Sequence, residues 1–271
     1  MLWSAGLRDK GITDPAGRGV QSRNFSIVHR WREIPAILAS MDEVLEQNVL
    51  DHGKVTLRDS MADDLSVVNA ARVSYATLVE EISPADAKLI HFLMRERHGT
   101  PFEHSVFKFF IKCPIFVARE WMRHRISSFN EMSMRYHVPD QVDFFIPDKT
   151  TVRSQIGKPG SYSFKSIEDD YLADDARSEM AALYDAAYES YNVLLNMGIA
   201  KEVARCVLPV GQYTEFIWTV NARSLMNFVS LRNDENAQFE IRQYAIAVED
   251  IFKLLMPITY ESFITNNRVA P

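Results

Sequence analysis

The chain is poor in the residues on which several protein classes depend. It holds two cysteines, Cys113 and Cys206, in 271 residues. Thiols this few and this far apart form no disulfide framework and fit a reducing compartment, so a cytoplasmic setting is expected. No His-x-x-x-His or Cys-x-x-Cys spacing occurs, and no metal site is expected. There is no run of about 18 apolar residues, so neither a transmembrane helix nor a membrane partner is expected. The opening Met1-Leu2-Trp3-Ser4-Ala5-Gly6 is too short an apolar stretch for a signal peptide. Positive charge is not in excess either. The formal net charge is −6, which argues against a broad nucleic-acid-binding face. Glycine is scarce, and Gly6, Gly11, Gly17 and Gly19 all lie near the start. Gly17-Arg18-Gly19 lacks the third glycine and the strand–helix setting of a Rossmann loop. Residues 1–24 read as a flexible arm, leaving 25–271 as the folded domain.

What is present is an ordinary globular composition, 47% apolar and 24% charged, long enough to enclose a sizeable core. Val55 and Leu57 suit a short strand. Asp63 or Asp64 can cap a helix with Val67, Val68 and Ala71 on one face. Ser83-Pro84-x-Asp86 opens a second helix, with Leu89, Ile90, Phe92 and Leu93 as its stripe and Gly99 as its end. Residues 105–112 alternate, placing Phe107, Phe109 and Ile111 opposite Lys108 and Lys112, as a strand would. Pro114 starts a short helix to about His124 that buries Val117, Ala118 and Trp121. Phe144–Ile146 suit a short strand, and 148–165 an exposed excursion. A long helix covers about 170–197, stopped by Gly198, and another about 200–207, ending before Pro209. Residues 213–220 alternate as a strand, a helix follows Asn221, and a last helix covers about 236–255. The class expected is α+β, a single domain of helices packed on a small, mostly antiparallel sheet.

One stretch stands apart, Arg123-His124-Arg125-Ile126-Ser127-Ser128-Phe129-Asn130-Glu131-Met132-Ser133-Met134-Arg135-Tyr136. A guanidinium presents a fixed fork of donors that fits phosphate. Ser and Asn add neutral donors, and Glu131 adds a carboxylate able to accept from a base or sugar. The stretch suits a pocket for a phosphorylated small molecule. As a bare Arg-rich segment it also suits a solvated basic turn. Outside it, His98 alone reads as a surface or capping residue, and Asn221 as a plain N-cap. Arg223 and Asn227, four apart, share one helix face.

The order Arg-His-Arg, seven residues, Ser, then Arg-Tyr resembles the motif of the flavin-dependent thymidylate synthases. The likeness extends to His98-Gly99-Thr100-Pro101-Phe102-Glu103-His104, to Ala204–Pro209, and to Trp218–Phe228, covering roughly residues 62–258 but not the arm or 148–175. It implies methylation of dUMP to dTMP, with methylenetetrahydrofolate as one-carbon donor, NADPH as reductant and FAD bound. It also implies a homotetramer with active sites shared between subunits. By resemblance, FAD contacts fall to His98, Thr100, Glu103, Arg123, His124, Arg125, Ile126, Asn221, Arg223 and Asn227. Those to dUMP fall to Glu120, Arg123, Glu131, Ser133, Arg135, Arg205 (from another subunit) and Arg232. Arg232, beside the pyrimidine, is the catalytic candidate. Two positions depart from the pattern: Glu120 stands where Gln is expected, and Asn236 where His is. A carboxylate at 120 would repel the dUMP phosphate unless Arg119, Arg123 or another cation paired with it.

Two other readings compete. Arg205 could activate Cys206 as the nucleophile of the unrelated cysteine-dependent thymidylate synthases, but the residues around Cys206 do not match that family. Arg119–Arg135 with Phe129 and Tyr136 could stack a nucleic acid, but the net charge opposes this.

Overall fold

Alternation in two strands builds the middle of the molecule. The structure is a computed structural model, and it describes residues 45–139, 142–158 and 161–271; the expected arm lies outside them. The strands are β1 (Glu46–Val49), β2 (Gly53–Ser60), β3 (Val106–Pro114), β4 (Ser128–Glu131), β5 (Arg153–Lys158), β6 (Ser161–Ser166) and β7 (Tyr213–Asn221). Five form an antiparallel sheet in the order β1-β2-β3-β7-β4, while β5 and β6 pair as a separate hairpin. In the central pair, Phe107 faces Val220, Phe109 faces Trp218 and Ile111 faces Phe216. All six are buried. Such cross-strand pairs of large side chains are what hold a sheet together, and the Phe109 and Trp218 rings stack 5.5 Å apart.

The helices are α1 (Asp64–Arg72), α2 (Pro84–Arg95), α3 (Ile115–Trp121), α4 (Asp170–Asn196), α5 (Lys201–Ala204), α6 (Ala222–Arg232), α7 (Phe239–Leu255) and α8 (Pro257–Thr265). The fold is α+β, as expected. Trp121, at the end of α3, is fully buried between Trp218 and Phe228, with ring centroids 5.1 and 4.7 Å away. That anchor fixes where the Arg-rich stretch leaves the core. Asp63 caps α1, and Ser83 with Asp86 forms a full capping box on α2. Gly198 takes φ +80° just past α4, a left-handed conformation that suits glycine at a helix end.

Several expectations need correction. Residues 128–131 are an edge strand, not loop, and 144–146 make only a single bridge, Phe144 to Gln212. The excursion at 148–165 is largely the β5–β6 hairpin. Phe92 is 42% exposed, and Met94 takes its place in the core. That helix stops at Arg95, before Gly99, and Arg97 makes the turn in left-handed conformation. The helix after Pro114 stops at Trp121, not His124. Beyond 255 there is a further helix, α8.

Candidate active site

The Arg-rich stretch passes through three conformations. After α3, backbone N–H groups of Arg123 and His124 donate to the carbonyls of Glu120 and Trp121, and the Ser127 hydroxyl closes the turn on the His124 carbonyl at 2.6 Å. The chain then becomes β4 and pairs with β7. A tight turn follows, in which the N–H groups of Tyr136 and His137 donate to the Ser133 carbonyl. Arg123, Arg125 and Ile126 project from the first turn, Glu131 from the edge strand, and Ser133 and Arg135 from the last turn.

A cleft of about 500 Å³ opens beside the first turn. Arg123, His124, Arg125 and Ile126 line one side; Arg223, Asn227 and Arg232 line the α6 side; Glu103 lies at its edge. The expected shared face of Arg223 and Asn227 is thus the face α6 turns to the cleft. Among the described residues Arg123 and Arg125 make no ion pair. Arg223 donates to Glu103 Oε1 at 2.6 Å, and from Nε to the Pro271 carbonyl at 2.7 Å. Gly99 makes that placement possible, since a Cβ there would lie 2.5 Å from Arg223 Nε.

Arg232 is held on three sides. Nη1 donates to Glu120 Oε2 at 3.0 Å, Nη2 to the Glu120 carbonyl at 3.2 Å, and Nε to His124 Nε2 at 3.0 Å. The cation that answers Glu120 is therefore Arg232. Burial raises the Glu120 pKa, and Arg232 opposes the rise. His124 accepts from a guanidinium, so it is neutral with its proton on Nδ1. Burial, and then Arg232, push its pKa down to about 4. Its ring sits edge-on to Phe228 at 4.9 Å.

Other expected residues lie outside the cleft. Arg135 pairs with Glu202 at 2.9 Å, both half exposed, and Arg205 follows Glu202 by three residues in the next turn. Glu131 accepts from the Thr214 hydroxyl at 2.7 Å. Ser133 Oγ accepts from the Arg135 N–H at 3.4 Å. The His98 ring packs edge-on against Phe92, and Thr100 opens the one-turn helix Thr100–His104 that buried Phe102 pins. Asn221 caps α6, accepting from the Ser224 N–H at 2.9 Å. Asn236 bonds Asp234 in the α6–α7 turn. Val220, Leu231, Ala270 and Pro271 also line the cleft. Sequence reasoning missed them, because nothing local in Val269-Ala270-Pro271 marks them as reaching α6. Cys206 is exposed, with Sγ 3.7 Å from the Glu202 carbonyl.

Comparison with known proteins decides the family. The model described as thymidylate synthase complementing protein matches residues 56–258, a span that includes the 148–175 stretch. The chain belongs to the flavin-dependent thymidylate synthase family. It is 47% identical to the flavin-dependent thymidylate synthase of Thermosipho africanus over 81% of this chain and 94% of that one. Against its counterpart from Pseudothermotoga lettingae it is 49% identical, over 80% and 92%. A crystal structure of the UMP/dUMP methylase PolB from Streptomyces cacaoi, bound with 5-Br UMP, superposes with a TM-score of 0.74 at 40% identity, covering 83% of this chain and 99% of that one. As a member of the family the chain is a flavin-dependent enzyme that converts dUMP to dTMP. The donor set suits FAD: unpaired Arg123 and Arg125 offer cations to a pyrophosphate, and Ile126, Val220 and Leu231 offer an apolar wall.

Proposed function

We propose that the cleft between the Arg123–Ile126 turn and α6 is where FAD lies during dUMP methylation. Glu103, Arg123, His124, Arg125, Ile126, Arg223 and Asn227 would be its contacts, joined by His98, Thr100 and Asn221 around it. The observation that carries this reading is the convergence of Arg123, Arg125, Arg223 and Arg232 on one cleft in a chain of net charge −6. Bound FAD would supply the redox chemistry, drawing on NADPH, with methylenetetrahydrofolate as carbon donor.

This chain's own residues bind and orient the nucleotide. Ser133, Arg135 and Arg205 would hold the dUMP phosphate, with Glu131 beside the nucleotide. The exposed Arg135–Glu202 pair is the kind worth little on its own, so Arg135 can exchange Glu202 for phosphate at small cost. Arg123 would serve both ligands. Arg232, steadied by Glu120, would stand by a uracil carbonyl and stabilise the electron density gathered there as carbon 5 becomes nucleophilic. The family resemblance adds an assembly, a homotetramer, in which Arg205 of one subunit completes the site of another. The region 25–271 would act as one catalytic domain, in the cytoplasm. No helix among the described residues is long and apolar enough to cross a membrane.

The test is the visible spectrum of the purified protein. Flavin bands that bleach with NADPH under argon, and dTMP formed on adding dUMP and methylenetetrahydrofolate, are the expected result. A protein that is colourless and takes up no added FAD would overturn the assignment of the cleft.

A further inference from the structure

Outside the residues assigned to a ligand and those that line the cleft, Glu249 gathers three polar partners. Its side chain is only 7% exposed. Arg268 clamps it with both forks, Nη1 to Oε1 at 2.7 Å and Nη2 to Oε2 at 2.6 Å. Asn233 Nδ2 donates to Oε2 at 2.6 Å, and the Tyr260 hydroxyl to Oε1 at 3.1 Å. Burial works against this charge, yet the bonds from Arg268 and Asn233 outweigh it and hold the Glu249 carboxyl below its usual range.

Two of those partners stand one or two residues along the chain from residues that line the cleft. Asn233 directly follows Arg232 and ends α6. Arg268 sits in the turn after α8, where Asn267 and Arg268 both hold φ +57°, a left-handed conformation that asparagine takes readily but that arginine needs a constraint to hold. The Arg268 clamp is such a constraint. Two residues separate it from Pro271, whose carbonyl accepts the Arg223 Nε–H, and Ala270 and Pro271 form part of the cleft wall. The Arg223–Glu103 pair is 46% and 39% exposed, so screening leaves it a weak guide. The Nε bond is the one that fixes the plane of the guanidinium. Together the two bonds leave three of the five N–H groups for a ligand.

We propose that the Glu249–Arg268 ion pair is a positioning device for cofactor binding, acting through a strap, Arg268–Pro271, that sets the Arg223 guanidinium at the cleft. The inference rests on the reading of the cleft as the FAD site. It gives a role to two charged residues that touch no ligand, and to a segment that carries no motif.

The experiment measures the FAD dissociation constant by flavin fluorescence, with the thermal midpoint alongside. The proteins are the full chain, Arg268→Ala, a chain ending at Val269, Arg223→Ala, and the last two changes combined. Ending at Val269 should weaken FAD about tenfold, the scale of one hydrogen bond to a charged group, with little change in midpoint. In the Arg223→Ala background the same truncation should change nothing further, because the strap acts only through Arg223. Arg268→Ala should weaken FAD to a similar degree and also lower the midpoint. If Arg268→Ala fails to fold, Glu249→Gln takes its place, and unchanged FAD affinity in that variant overturns the role of the ion pair. A truncation that weakens FAD equally in both backgrounds, or in neither, overturns the proposal. A full chain that takes up no FAD removes instead the reading of the cleft, and the inference with it.

Discussion

At the scale of single residues, Arg232 and His124 give sharp expectations. Arg232→Ala should lower kcat roughly ten- to a hundredfold at saturating dUMP, the effect of losing about 1.5–3 kcal/mol of charge-assisted stabilisation. An unchanged kcat in steady-state assays would deny Arg232 its role beside the pyrimidine. His124 reports through stability. Its folded pKa, about 4, lies below the ordinary value of 6.5. Between those values the unfolded chain binds a proton that the folded chain refuses, so stability falls as pH drops from 6.5 towards 4. Denaturant midpoints measured across that window should fall less steeply for His124→Gln than for the parent chain.

At the scale of elements, Asn221 tests whether a cap is only a cap. Asn221→Ala should cost about 1 kcal/mol of stability. Asn221→Ser keeps a capping oxygen and should keep most of the thermal midpoint. If Asn221 also touches FAD, the Ser variant should still bind FAD more weakly in a fluorescence titration; equal affinity would leave it a cap alone. The elements that sequence made legible were those with one wet and one dry face, β3 and β7, and those with clear end signals, α2 and α4. The strands it hid lack that contrast. Both strands of the β5–β6 hairpin are mostly exposed on both faces, and the brief alternation of Tyr162 and Phe164 in β6 is too short to stand out among its serines. β4 is an edge strand, mostly exposed, and the polar side chains of Ser128, Asn130 and Glu131 read as loop. α8 opens with Pro257 directly after α7, which reads as an ending although proline also suits a helix start. Around the cleft, the shared helix face of Arg223 and Asn227 was legible from their spacing, and the need of Glu120 for a cation from its departure. The Arg232–Glu120 bond was not, because it joins residues 112 apart in the chain.

At the scale of the whole molecule, the proposed sharing of sites between subunits has a consequence that a single chain cannot mimic. Arg205→Ala and Arg232→Ala, each strongly impaired as a pure assembly, should recover dTMP formation well above the level of either variant alone when unfolded together and reassembled. Mixed assemblies would then contain some sites built from unaltered residues only. A mixture no more active than either variant alone would argue for sites complete within one subunit. The three bonds on Arg232 link folding and binding in another way. An arginine side chain carries about 2 kcal/mol of rotamer entropy, and here most of it is surrendered as the chain folds, before any nucleotide arrives. Calorimetry of dUMP binding should therefore show a larger entropic penalty in Glu120→Ala, where the guanidinium loses one of its three bonds and gains freedom, than in the parent chain. The departure at position 120 would then act as a thermodynamic loan from stability to recognition, made once per folding event and drawn on at every turnover.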